Sequence, residues 1–583
     1  MPGLVGYASY KKEMNKDIVR WMRNLLKHYD WYVEDQIFSD NLICASRTHL
    51  GVLKQGIQPF LIENGLYSWI EGEFYNQDEL KARFDVDSGN DNELLLTIFK
   101  KTRNFEFLKY VDGYYVSVVY DKENKLIHLI SDRYGFKPLY WGKINGTLVW
   151  SSELKGFLKY VDFEPVIDQV AVQQFFDIGY ILENRSWFKG VELMPPAAVL
   201  SYDIEQSRIN VKHYWSWSDI EQVAGKVNES DVISELGRLF NDSVKKRASN
   251  SEKVGVSLSG GLDSRAILAA IPNELNKIHA YTFGKKDCND IAIAKLVAKK
   301  RRVMHHIYEL NQNNWINPRV RNIWITDASY CILHMHGCEI IEKMKSYIDI
   351  NMNGFAGDLV MGGSYLRYNN KDQYITESIV RNVLHLNVAL PEQDEWYLIE
   401  KNDPYFINNR VRKFTNGGSR LCAKIIEQRK PFFDNGLIEM IYSLPDNIRY
   451  KSYIYKKVLN KFFPDFFNNI PWQKTGYPIS YNQLYVDLLH LKDSVIRKLR
   501  RECDRFGFAY DDKKYYTNYF RWIQEEPARS FFYNILVNEH SLYPQYFNKM
   551  NVTHWLDMHM NHRRDFSEEL CRALTFEIWL QQV

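Results

Sequence analysis

Seven cysteines are scattered through 583 residues with no CxxC pair, so neither a zinc site nor a disulfide framework is indicated. No apolar run is long enough to span a bilayer. The opening MPGLVGYASYKKE lacks the basic, apolar, small-residue order of a secretion signal, which makes the cytoplasm the expected compartment. A net charge of +3 falls short of a nucleic-acid footprint. The Walker pattern GxxxxGK(S/T) is absent, which excludes that class of phosphate loop. What is present, 45% hydrophobic and 25% charged residues, is ordinary for a globular enzyme of two or more domains. Aromatic content is high at 15%, and the sequence offers no mechanism for it beyond core and interface packing.

The chain is organised around residues 254–271, VGVSLSGGLDSRAILAAI. Val254, Val256 and Leu258 alternate with small residues and predict a short buried strand; Ser259, Gly260 and Gly261 make a turn. From Asp263, the spacing of Ala266, Ile267, Leu268, Ala270 and Ile271 predicts a helix. Such a turn aims backbone N–H groups and a positive dipole end at one point, where an anion would sit. SGGLDS in this setting resembles the pyrophosphate loop of ATP pyrophosphatases, which cleave ATP between its α and β phosphates.

Residues 1–205 read as short strands (66–76, 114–121, 126–132) and a helix over 90–103, which suggests stacked antiparallel sheets flanked by helices. Four segments, MPGLVG, EGEFYN, VDGYYVSVVYD and SDRYGFKPLYWG, resemble the glutaminase domain of asparagine synthetases, an N-terminal-nucleophile (Ntn) hydrolase. That family begins Met-Cys-Gly, and its cysteine attacks the glutamine amide. Here Pro2 carries neither thiol nor hydroxyl, so the covalent step has no nucleophile. Cys44, the nearest cysteine in sequence, is expected in the core. The resemblance places Arg47, Glu73 and Asp91 where the family holds glutamine. It places Glu71 where the family has an oxyanion-stabilising asparagine, and a carboxylate there opposes developing negative charge. The domain is therefore expected to be an inactive scaffold with a vestigial pocket. Residues 206–230 turn polar and predict a linker.

Residues 231–583 form the second expected domain. A helix over 231–248, the loop, strands over 278–284 and 304–310 and a helix over 289–302 imply a doubly wound parallel sheet. A further helix is expected over 327–345; its Asp327, His334 and His336 read as packing or surface groups, because histidines two apart face different sides. INMNGFAGDLVMGGSYL (350–366) resembles the second signature of asparagine synthetases through Gly354, Asp358, Gly362 and Gly363. Asp263 and Asp358 would then face each other over the nucleotide phosphates, an arrangement that calls for Mg²⁺ between them. The resemblance also implies ATP contacts at Leu258, Ser259, Gly260, Gly261, Asp263, Ser264, Phe283, Asn353 and Gly354. Lys474, in PWQKTGYP, matches the lysine that stabilises charge on the phosphates and the acyl intermediate; the catalytic set is then Lys474, Asp263 and Asp358. QRKPFFD (428–434) resembles the family's RVPFLD. Phe355 stands where asparagine synthetases place glutamate and β-lactam synthetases tyrosine, and it can only form an apolar wall. The last hundred residues depart from the family and read as a helical tail, with Phe566, Leu570, Leu574 and Ile578 in register.

The expected reaction is ATP-dependent amide formation: a carboxylate attacks the α-phosphate, and an amine displaces AMP from the acyl-adenylate. With no working glutaminase, the amine is free ammonia or part of a larger substrate, and an intramolecular amine would make the enzyme a cyclase. An ammonia-driven asparagine synthetase is the alternative within enzymes. A catalytically idle binding protein is the alternative outside them, and Asp263, Asp358 and Lys474 argue against it. Neither a nucleic-acid nor a membrane partner is expected; a homodimer is left open.

Overall fold

The computed structural model describes residues 2–583 except 54, 63–64, 224, 226, 249–252, 275–276, 367–393, 400, 483–485 and 487–512. Alternating apolar patterns in the first 213 residues build two antiparallel sheets. One runs Val191–Leu193, Tyr140–Ile144, Thr147–Ser151, Gly3–Ala8, Ile43–His49, Val33–Glu34, with Phe38–Ser39 also on Ile43–His49. The other runs Arg208–His213, Ala198–Asp203, Leu126–Ser131, Gly113–Asp121, Leu66–Phe74, Phe60–Ile62. Leu4, Ile43, Leu148 and Trp150 of the first meet Trp69, Val118, Leu129 and Leu200 of the second in a dry layer. Helices Lys16–Leu26 and Gln169–Ile178 cover one outer face, Gln77–Phe84 and Asp91–Thr102 the other. The helix expected over 90–103 starts at Asp91 because Asn90 caps it, its side chain accepting from Glu93 N at 3.1 Å. This four-layer stack is the Ntn-type amidotransferase arrangement. Cys44 lies mid-strand, fully buried.

The second unit is a five-stranded parallel sheet in the order Met304–Glu309, Ile278–Gly284, Val254–Ser257, Ile350–Met352, Glu427–Arg429. The chain leaves the central Val254–Ser257 strand to one side, then returns to build the other. The switch point falls between Val254–Ser257 and Ile350–Met352, where ligands of open α/β sheets bind beyond the strands' carboxyl ends. Helices Glu229–Ala248, Asp263–Ala270 and Asn289–Arg301 pack on the faces.

Two expectations need correction. The 206–230 stretch opens with Arg208–His213, paired along its whole length to Ala198–Asp203, so the first unit's sheet runs through His213 before the polar connection begins. Residues 327–345 form no continuous helix. Asp327 and Ala328 are left-handed (φ 52° and 47°), followed only by a 3₁₀ turn at Ile332–His334 and a short helix at Ile341–Met344. Distant partners supply the hydrogen bonds a helix would have made. Asp327 accepts from the Leu154 and Lys155 amides at 2.8 and 3.1 Å and pairs with the Lys155 ammonium at 2.9 Å. Thr575 Oγ1 takes Ile332 N, and Arg319 donates to the Ile332 and Leu333 carbonyls. His334 bonds Glu568, and His336 bonds Tyr519.

In the tail, Ser567–Leu580 buries Leu570, Leu574 and Ile578 and lays Phe576 and Trp579 on Trp187 of the first unit. The remainder of 480–583 is helical where described, in Tyr519–Gln524, Ala528–Leu536 and Lys549–Met560; residues 483–485 and 487–512 lie outside the described residues. No helix among the described residues is long and apolar enough to cross a membrane.

Candidate active site

Val254 and Val256 are buried in the central strand, which fixes where the SGGLDS turn emerges. Leu258 is held by an N–H to Tyr281 O and by its own carbonyl, which accepts from Thr282 Oγ1 at 2.7 Å. Ser259 N and Oγ both lie 3.2 Å from Ser264 Oγ, and Gly261 N donates to Ser259 Oγ, so the turn closes on the helix start. Gly260 N donates to Asp290 Oδ1 at 2.9 Å.

The second loop lies directly on this helix start. A Cβ on Gly354 would stand 2.8 Å from Ser264 N, and one on Gly357 would stand 2.7 Å from the Asp263 carboxyl carbon. Only glycine permits the approach that brings Asp358 N to Asp263 Oδ2 at 2.9 Å. Asp263 Oδ1 accepts from Tyr455 OH at 2.9 Å. Burial, and then the neighbouring Asp358, push the Asp263 carboxyl up to about 8. Asp358 is also raised by desolvation, against the pull of the Lys474 charge. Asn353 donates through Nδ2 to Ser419 Oγ at 3.2 Å. Phe283 stands at the end of its strand, its ring near Tyr516.

Lys474 stands exposed, its ammonium 5.4 Å from the Trp472 ring, on a turn whose base is bolted to the loop. Gln473 N donates to Gly260 O at 3.0 Å, and the fully buried Arg265 binds the carbonyls of Gly260, Ile470 and Pro471 at 3.1, 3.1 and 2.7 Å. Sequence reasoning passed over Arg265, Tyr455 and Asp290. Arg265 carried one available signal, an arginine on the apolar stripe of the helix that follows the loop. Phe355 leaves the loop in the opposite direction. Its ring packs at 5.1 Å on Phe136 of the first unit and 5.6 Å on Phe433, with Lys430 Nζ 5.0 Å away.

In the glutaminase-like unit, Pro2 is buried beside the first strand. Arg47 bonds Asp35 and Gln55, both at 2.7 Å. Glu71 is paired with the buried Lys137 at 3.0 Å, and Glu73 takes two hydrogen bonds of 2.7 Å from Arg429 of the second unit. Asp91 accepts from Gln77 and Phe74 N, and burial raises it to about 7. Each of these polar groups is thus bound to a protein partner.

Two stacked antiparallel sheets with an amidotransferase pattern, joined to a parallel sheet whose switch point carries paired carboxylates, a lysine and a phosphate-loop turn, define a two-domain ATP-dependent ligase of C–N bonds. The glutamine amidotransferase domain family matches residues 1–215, and the asparagine synthase family matches residues 235–417. A putative asparagine synthetase (glutamine-hydrolyzing) 2 of Methanocaldococcus jannaschii is 26% identical over 392 residues, covering 62% of this chain and 75% of that protein. Asparagine synthetase (glutamine-hydrolyzing) 2 of Bacillus subtilis is 22% identical, covering 79% of this chain and 69% of that one. A probable asparagine synthetase of Acanthamoeba polyphaga mimivirus is 25% identical and covers 86% of each. The chain belongs to the asparagine synthetase superfamily.

Proposed function

We propose that this protein activates a carboxylate as an acyl-adenylate, releasing pyrophosphate, and transfers the acyl group to an amine that glutamine hydrolysis does not supply. The observation that carries the reading is the contrast between the two sites. At the switch point, Asp263 and Asp358 are joined over a helix start, and the Lys474 charge acts on Asp358. In the first unit, the glutamine-holding positions are bonded to protein partners and position 2 has no nucleophile.

The chemistry follows from the arrangement. The turn 259–263 and the helix dipole attract the nucleotide's phosphates. Two adjacent carboxyls, both raised by desolvation and Asp263 also by the Asp358 charge, fit a divalent cation shared with phosphate oxygens, and Mg²⁺ bound there would neutralise the leaving pyrophosphate. Lys474 stabilises charge that develops on the phosphates, and Arg265 holds the lysine's turn against the loop. Tyr455 and Asp358 N fix the Asp263 carboxylate by donating to its two oxygens. The reaction needs no general base on the carboxylate substrate, so positioning and charge stabilisation supply most of the rate.

Phe355 removes a carboxylate from the position where the family's glutamate stands, so the acceptor we assign is an amine on a larger, partly apolar substrate rather than ammonia. The thiols Cys44, Cys288, Cys331, Cys338, Cys422 and Cys571 are free, in keeping with a cytoplasmic enzyme. ATP–pyrophosphate exchange across a panel of carboxylates tests the reading. Exchange dependent on one carboxylate class and on Asp263 supports it. ADP formation instead of AMP, or glutamate released from glutamine in step with amide formation, would refute it.

A further inference from the structure

Between the two units lies a small, partly open cavity of about 30 Å³ that the proposed reaction does not use. Its first-unit wall includes Phe136, Tyr140 and Trp187; its second-unit wall carries Arg412, Lys413, Asn416 and Arg420. Arg412 and Lys413 come from Ile407–Thr415, a stretch of π-helix, a rare backbone form that marks functional sites. Among the described residues, no carboxylate forms an ion pair with Arg412, Lys413 or Arg420. Glu183, an acid whose charge acts on Arg412 and Lys413, is consumed by Tyr397, Asn408 and Asn409. Arg412 spends its donors on Gly135 O, Asn184 and Asn408. Lys413 has one hydrogen bond, to Arg185 O at 3.2 Å. Arg420 is 7% exposed; it donates through Nη1 to Ser329 and leaves Nε without a partner.

Of the four cations that line the space, Arg185 is met by Asp168 while Arg412, Lys413 and Arg420 repel one another, and a buried guanidinium N–H with no acceptor adds its own desolvation cost. A bound anion removes both costs. Asn416 Oδ1 is likewise without a donor, while its Nδ2 is fixed on Phe136 O. At 10–15 Å³ per water-sized occupant, the cavity has room for about two. We propose that this cavity binds one small monovalent anion, chloride, against Arg420 Nε and Lys413 Nζ, with a water donating to Asn416 Oδ1. Phosphate and nucleotide are too large for it. The ion completes the contact between the units from inside.

The test is done on the whole chain. Thermal unfolding is followed against sodium chloride, with sodium gluconate keeping the ionic strength constant, and crystals grown in bromide are examined for anomalous scattering. The expected result is a saturable rise of about 1–3 °C with chloride over gluconate, and a bromide peak in the cavity. Lys413→Met and Arg420→Met should each lose the chloride-specific rise while melting in gluconate no lower than the unaltered protein, because a repelling cation has gone. Identical melting in chloride and gluconate, or water alone in the cavity of the bromide crystals, would overturn the proposal even if either variant failed to fold.

Discussion

Replacing Asp263 by asparagine should uncouple stability from catalysis at the nucleotide site. The carboxyl is raised to about 8 by burial and then by Asp358, whereas the unfolded chain titrates near the ordinary carboxylate value. The native protein therefore keeps a proton that the unfolded chain gives up between about pH 4 and 8. Stability from this group is complete below that window and is lost as pH rises through it. One pKa unit is worth about 1.4 kcal/mol; with the side chain only half-buried and water screening the pair, on the order of 1–3 kcal/mol should be lost. Asp263→Asn abolishes the titration. Asparagine can still accept from Tyr455 OH, but its amide then faces Asp358 N–H, which costs about 0.5–1.5 kcal/mol. Urea midpoints measured from pH 5 to 8, variant against wild type, isolate the effect from the other raised carboxyls, because those cancel in the difference. Without Mg²⁺, the variant should gain on the wild type steadily as pH rises and should equal or exceed it by pH 8. With Mg²⁺, the wild type alone should recover, since the cation favours the ionised pair. ATP–pyrophosphate exchange by the variant should fall by at least about 100-fold. A difference curve flat across this range, or equal Mg²⁺ stabilisation of both proteins, would refute the paired-carboxylate reading.

Lys474→Met should leave the melting temperature within a degree or so, because the side chain is exposed, yet suppress pyrophosphate exchange; unchanged exchange would remove it from the site. Pro2→Cys should not release glutamate from glutamine, since Lys137 holds Glu71 and Arg429 holds Glu73 in the pocket; measurable glutaminase activity would contradict that account. Arg247→Met should cost about 3–5 kcal/mol in urea denaturation, as it strands the buried carboxyls of Asp112 and Asp434, and a loss under 1 kcal/mol would show the network to be slack. Wild type given ATP, Mg²⁺, aspartate and ammonium should form no asparagine; stoichiometric asparagine and AMP would restore the ammonia-driven alternative.

What could be read in the sequence was whatever local pattern determines. The 254–271 strand, turn and helix needed only alternation, two glycines and an apolar stripe, and they stand where expected. The same holds for the strands at 278–284 and 304–310. Residues 327–345 carry an equally helical run of side chains. Their path is set by Lys155, Arg319 and Thr575, groups whose proximity no periodicity records. Arg208–His213 was missed for the opposite reason: RINVKH is an edge strand, mostly exposed, and its polarity reads as linker. At the site, acidic and glycine positions were legible because their neighbours in sequence are diagnostic. Tyr455 and the Arg265 clamp were not, since each acts on a segment about 190 or more residues distant.

If the first unit does not feed the second, its contacts with it give a reason for it to persist. One of the glutamine pocket's polar groups, Glu73, reaches across to the second unit, and other charges of the first unit do the same. Glu73 holds Arg429 at the end of the outermost strand of the parallel sheet, and Asp112 with Asp434 holds Arg247. Arg133 reaches Glu439, and Lys155 fixes the left-handed turn at Asp327. Removing the first unit would take the counter-ions from Arg429, Glu439 and Asp327 of the second and one of two from Arg247, as well as the apolar contact. The aromatic contact works alongside them: Phe136 packs on Phe355, whose neighbour Gly354 lies against the helix start that carries Asp263. The Phe136–Phe355 contact thus stands one residue of backbone away from the phosphate site. On the proposed reading, the first unit serves the second through this packing rather than through glutamine chemistry, because the loop that carries Phe355 lies against it.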